Sequence, residues 1–75
     1  MPTRTLRLNY PPSLLQQPII NQLIRRFDLT VNILQAHITL EEGWIEIQAT
    51  GESASLDEAV AWLANEGLTI EALNG

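Results

Sequence analysis

Seventy-five residues are enough for one small domain, taken here as a single unit over residues 1–75, whose core lies near the lower limit of self-sufficiency and would gain from dimerisation. Apolar residues make up 45% of the chain and charged residues 17%, a balance that argues against disorder; the absence of cysteine excludes disulfides, thiolate zinc sites, iron–sulfur ligation and cysteine nucleophiles. The net charge of −5 is uneven, +3 over residues 1–40, which hold all four arginines, and −8 over residues 41–75, so a clustered basic surface for nucleic acid is not expected.

Thr3 to Tyr10 alternates, with Leu6, Leu8 and Tyr10 on one face and Thr5, Arg7 and Asn9 on the other, which predicts a half-buried strand stopped by Pro11 and Pro12. Leu14, Leu15, Ile19, Ile20, Leu23, Ile24 and Phe27 then recur at helical spacing. Pro18 is comfortable only in a first turn, so the regular helix is expected from about Gln17, after a lead-in turn over Ser13 to Gln16. Arg25 and Arg26 fall in its last turn, where cations complement the helix dipole.

In Val31 to Leu40 the apolar residues stand at 31 and 33, then at 34, 36, 38 and 40. Such a change of phase predicts a bulge or bend near Asn32 to Leu34, or a stretch covered on both sides, a cover that a second copy would supply. Glu41, Glu42 and Gly43 form the expected hairpin connection, with the glycine supplying a positive φ. Trp44 to Thr50 alternates again, placing Ile45, Ile47 and Ala49 inward and Trp44, Glu46 and Gln48 outward. Ser55-Leu56-Asp57-Glu58 has the form of a capping box opening a second helix, Leu56, Ala59, Val60 and Leu63 form its buried stripe, and Gly67 is expected as its left-handed cap. Leu68 to Leu73 closes the chain as a strand.

The order β-α-β-β-α-β is that of the ferredoxin-like, split βαβ arrangement. Right-handed crossovers then give an α+β sandwich, a four-stranded antiparallel sheet of order 4-1-3-2 with both helices on one face. Across that sheet Arg4 and Arg7 are expected to face Glu46 and Glu71. The open face would carry Thr5, Arg7, Trp44, Glu46, Gln48, Thr69 and Glu71, and part of Asn32 to Leu34.

No catalytic constellation emerges. His37, the single imidazole, stands on a strand between Ala36 and Ile38, and Glu41, Glu42 and Glu46 have neither calcium-loop nor glycosidase spacing. Gly43 and Gly51 are isolated glycines rather than a phosphate loop. Neither catalysis, nor a cofactor, nor a metal is expected. The first residues lack the apolar segment of a signal peptide and no apolar run approaches a membrane span, so a cytoplasmic location without membrane insertion is expected.

The tetrapeptide Val31-Asn32-Ile33-Leu34 contains the Asn-Ile-Leu for which the NIL domain is named. Pro18-Ile19-Ile20 followed by Leu23 and Phe27 resembles that family's first helix, Gly51 matches its recurrent glycine after the third strand, and Gly67 to Leu73 is similar to its closing strand. The resemblance covers residues 3 to 73. It implies a ferredoxin-like fold related in architecture to ACT domains, found at the C-terminus of methionine-importer ATPases, where such domains pair and bind methionine as a feedback signal, and in fusions with cluster-binding ferredoxin modules. This chain carries neither ATPase nor cysteine, so any signal is expected to reach a separate protein partner. The family's transporter members usually have a glycine-rich hairpin, in place of which stands Glu42-Gly43-Trp44-Ile45-Glu46.

Two readings of function stand. One is a homodimeric sensor whose ligand, an amino acid such as methionine, binds near Asn32, Ile33, Leu34 and Trp44, with Asn32 as donor and acceptor and the apolar groups holding the side chain. The other is a ligand-free interaction module docking a partner through the open sheet face or an edge strand. Beside both stands a structural role, in which Asn32 satisfies the backbone at the bulge and Trp44 and Trp62 cover a seam.

Overall fold

A computed structural model describes residues 1–73; Asn74 and Gly75, the end of the expected domain, lie outside the described residues. The elements are β1 (Thr3–Tyr10), a 3-10 turn (Pro12–Leu14), α1 (Ile19–Phe27), β2 (Thr30–Ile38), β3 (Gly43–Thr50), α2 (Ser53–Glu66) and β4 (Thr69–Ala72). They form the expected ferredoxin-like βαββαβ sandwich. Its antiparallel sheet runs β2-β3-β1-β4, the 4-1-3-2 order read from the other side.

The central strands follow directly from alternation. Leu6 pairs with Ile47 and Leu8 with Ile45, and these four side chains point under the helices, where they are buried with Ile19 and Leu23 of α1 and Leu56, Ala59 and Leu63 of α2. The two helices meet through Phe27 and Trp62, edge to face with centroids 5.9 Å apart, a geometry that suits the quadrupoles of two rings. Glycines are required at two close approaches. A Cβ on Gly43 would stand 2.5 Å from Leu15 Cδ2, and one on Gly51 2.5 Å from Leu29 Cδ2.

The helix starts differ from expectation. Pro18 is the N-cap and α1 begins at Ile19, because Gln17 still belongs to the lead-in, its amide donating to the Leu14 carbonyl at 3.1 Å. No capping box forms at Ser55 to Glu58. The second helix starts at Ser53 with Glu52 as an N-cap that makes no side-chain bond, and Leu56 N already donates to Glu52 O at 2.9 Å, so Ser55 and Glu58 lie inside the helix.

The charge pairing differs as well. Arg7 lies opposite Glu46 and Glu71 and reaches Glu46 at 3.8 Å, as expected. Arg4 faces neither: it shares the helix side of β1 and bonds Asp57 of α2 at 2.7 Å, while Glu71 accepts from Asn9. Gly67 is the left-handed cap, at φ 113°, and is the described glycine with positive φ. Gly43, expected to supply one, opens β3 in an ordinary conformation; its small size serves the contact with Leu15 instead.

The non-glycine residue with positive φ is Asp28, at 49°, which ends α1. An L-residue there loses about 1–2 kcal/mol to the clash of its Cβ with the backbone, eased for aspartate by its short polar side chain. Asp28→Gly is therefore expected to raise the thermal midpoint and Asp28→Val to lower it, with stability changes of about 0.5 and 1 kcal/mol in opposite directions. Paired calorimetric scans check the signs, and a stabilising valine would overturn the argument.

Candidate functional site

The second strand is the least sheltered element of the molecule. It forms an edge of the sheet and packs chiefly against β3, and all but Val31 of its nine residues are exposed. Its ladder shifts register between Ile33 and Gln35, leaving Leu34 without an opposite number. This is the expected bulge. Before it, Thr30 and Asn32 lie on the open face opposite Thr50 and Gln48; after it, Gln35 and His37 do so, opposite Glu46 and Trp44.

The phase change has an energetic side. Ile33 sits opposite the fully buried Ile47, yet is 53% exposed, because the edge strand runs beyond the shelter of the helices; Leu34 and Ile38 are exposed too. An edge of unpaired backbone groups flanked by large apolar side chains is a template for another strand. Asn32, Ile33 and Leu34 thus stand together at a bulged, accessible edge.

Trp44 is not part of that group. It lies four residues along β3 from Gln48, the partner of Asn32, hence about 13 Å away along the strand. Its faces are occupied. The Arg7 guanidinium carbon stands 4.0 Å from the centre of the ring, within cation–π range, and His37 stacks beside it with centroids 6.0 Å apart. His37 Nε2 also contacts Glu42 at 3.2 Å, and Gln35 donates to Glu46. Arg7 Nε is buried without a hydrogen-bond partner. One side chain from each of β1, β3 and β2 is thereby tied into a row across the open face, with Arg7 on β1 anchoring it. Trp62, the other tryptophan, lies between the helices against Phe27 and Arg26. Burial pushes the Tyr10 phenol up from its ordinary pKa.

A second concavity escaped the sequence argument. A groove of about 620 Å³ lies between the β1–α1 connection and the β2–β3 turn, lined among others by Pro12, Leu15, Gln16, Ile38, Thr39 and Leu40. The signal available in the sequence was Leu40. The strand ends at Ile38 rather than Leu40, and Leu40 stands in the turn at 92% exposure, with the turn held by Thr39, whose hydroxyl accepts from the amides of Glu41 and Glu42. Among the described residues no group of three or more His, Cys, Asp and Glu side chains has metal-binding geometry, and no helix is long and apolar enough to cross a membrane.

Comparison with known proteins fits this architecture. The NIL domain family model matches residues 4–72. The chain belongs to the NIL domain family. Methionine import ATP-binding protein MetN of Ralstonia nicotianae is 36% identical over 72 residues, which cover 91% of this chain and 21% of that protein. The MetN of Helicobacter hepaticus is 38% identical over 61 residues, covering 76% of this chain and 17% of that protein. This NIL domain thus spans about a fifth of the length of the curated relatives it matches. Among solved structures, the C-terminal domain of an ABC transporter ATP-binding protein from Enterococcus faecalis superposes with a TM-score of 0.83 at 22% identity, covering 96% of this chain and 84% of that one, a likeness of fold.

Proposed function

We propose that this NIL domain is a regulatory module without catalysis of its own, which senses an amino acid such as methionine at an interface between two copies of the chain. The observation that carries the reading is the bulged, uncovered edge of β2, where the Asn-Ile-Leu tripeptide exposes an amide on the open face, Ile33 on the helix side and Leu34 at the bulge. Asn32 offers donor and acceptor capacity to an amino or carboxylate group, and Ile33 and Leu34 offer apolar contact to an aliphatic or thioether side chain. A neighbouring copy along the edge would close the site from the other side. Trp44, held in its row by Arg7 and His37, lies outside this site, about 13 Å along β3 from the partner of Asn32, and serves as a fluorescent reporter of the open sheet face. The module works with the ATP-binding part of a methionine importer, in keeping with the relatives' names, and on the cytoplasmic side.

Thermal denaturation with methionine and each of the other amino acids tests this. A ligand at a hundred times its dissociation constant adds about 2.7 kcal/mol of apparent stability, so a clear rise in the midpoint with one or a few amino acids is expected, together with a dimer in sizing chromatography. A flat response across all of them would overturn the sensor. It would favour the second reading, a ligand-free module docking a protein partner along the same edge by strand addition, for which the unpaired backbone of β2 is the supporting observation.

A further inference from the structure

We infer that the groove between the β1–α1 connection and the β2–β3 turn docks a peptide segment of another protein, with large apolar side chains flanked by lysine or arginine. The inference goes beyond the amino-acid site and does not depend on it: Ile38, at the groove, lies five residues along β2 from Ile33, roughly 16 Å.

The lining is uncharged and mixed, with apolar side chains interleaved with Ser13, Gln16, Gln17 and Thr39. Leu15, Pro12, Ile38 and Leu40 supply the apolar part. Ile38 is 54% exposed and Leu40 is 92% exposed, an arrangement that leaves large aliphatic surface in water at one end of a small molecule. Contiguous apolar surface beside polar groups such as Gln16 and Thr39 is characteristic of a site for another chain.

Charge specifies the occupant. Glu41 and Glu42 directly follow Leu40 and are both exposed. Glu66 ends α2 at the same end of the molecule, because the following Gly67 lies against Leu14 and Pro11, next to the groove. The last turn of α2 holds no basic residue, and the negative end of its dipole is offset by the positive end of α1, which starts beside the groove, so the negative field here comes from the glutamates. The four arginines lie elsewhere: Arg4 is bonded to Asp57 in the early turns of α2, Arg7 is engaged with Trp44 and Glu46 on the open face, and Arg25 and Arg26 stand in the last turn of α1, about 10 Å from its start beside the groove. A basic segment is drawn to this end and an acidic one repelled, while the uncharged lining accepts the apolar anchor between the charges.

A displayed library of random twelve-residue peptides, selected against the purified protein, tests the inference, with dissociation constants of enriched peptides measured by fluorescence anisotropy. Enriched peptides are expected to carry at least one large apolar residue flanked by lysine or arginine. Leu40→Ser should weaken them at least tenfold, and Glu41→Lys combined with Glu66→Lys at least tenfold, more at low salt than at high. Glu52→Lys combined with Glu58→Lys, an equal charge change at the far end of α2, should alter binding less than twofold. Leu40, Glu41 and Glu66 are exposed, so thermal midpoints close to wild type are expected for their variants, while lysines at the start of α2 oppose its dipole and should lower the midpoint slightly; all midpoints are measured alongside. The inference is overturned by lack of enrichment, by enriched peptides without basic flanks, by full affinity in Leu40→Ser, or by equal weakening in the far-end double variant Glu52→Lys with Glu58→Lys. It is also overturned if the wild-type protein self-associates and Leu40→Ser alone makes it monomeric, since a second copy would then be the occupant.

Discussion

Ile47→Ala is expected to remove a large part of the stability of the domain and to lower its thermal midpoint steeply. Ile47 is 0% exposed at the middle of β3, opposite Leu6 on β1 and Ile33 on β2, beneath the helix layer. Truncation removes buried methyl and methylene groups from a site that close packing prevents from collapsing, a loss of about 2–5 kcal/mol. A domain of this length holds about 4–11 kcal/mol in total, so about half of the margin goes at the middle of both ranges. The thermal midpoint should fall by about 10–30 °C, read by circular dichroism.

Ile33→Ala is the informative control. It deletes the same atoms from the directly opposed residue on the same side of the sheet, but Ile33 is half in water and its truncation should cost the isolated subunit less than about 1 kcal/mol. In a dimer closed along β2 the Ile33 effect grows with protein concentration while the Ile47 effect persists at every concentration. Equal losses at high dilution would mean that β2 is sheltered within the subunit, and that its exposed face has been misjudged.

The sheet was legible because strand alternation carries its own parity, and one break in parity between Ile33 and Leu34 was enough to locate the bulge that leaves Leu34 unpaired. The same parity would have placed Arg4 with Leu6 and Leu8 on the helix side, where it finds Asp57. Reading charges by sign rather than by side sent it to the wrong partner. Helix starts were less accessible, since they depend on where the preceding strand releases the chain. Gly51 must lie against Leu29, and the chain then turns directly into α2, so the Glu52 carbonyl takes the first helical bond and the Ser55 capping pattern lies too late to be used. Gly43 is a similar case, required by a contact with Leu15, twenty-eight residues earlier, that no local turn rule contains. For the site, the irregularity at Asn32 to Leu34 was readable from the phase slip, which left open a bulge or a stretch covered on both sides; the ladder register shows the bulge. The distance to Trp44 and its enclosure by Arg7 and His37 required the cross-strand register.

Asn32→Ala should remove about half or more, and Ile33→Lys nearly all, of the stabilisation that an amino-acid ligand gives, for different reasons, if the proposed sensing edge is right. Asn32 is exposed on the open face beside the bulge, so its truncation should leave the unliganded midpoint within about 0.5 kcal/mol of wild type. Loss of its hydrogen bonds to a charged ligand group should weaken binding at least tenfold, about 1.4 kcal/mol, and so halve or more the ligand-induced shift of about 2.7 kcal/mol. Ile33→Lys acts on the assembly. A lysine on the exposed edge brings two like charges together wherever two copies of β2 pair, which disfavours the dimer, while solvent accepts the ammonium in the monomer. Sizing chromatography should then show a folded monomer that no amino acid stabilises. A monomeric Ile33→Lys protein that keeps the full ligand shift would separate sensing from pairing and place the site within one subunit. A dimer that persists would move the interface off β2 altogether.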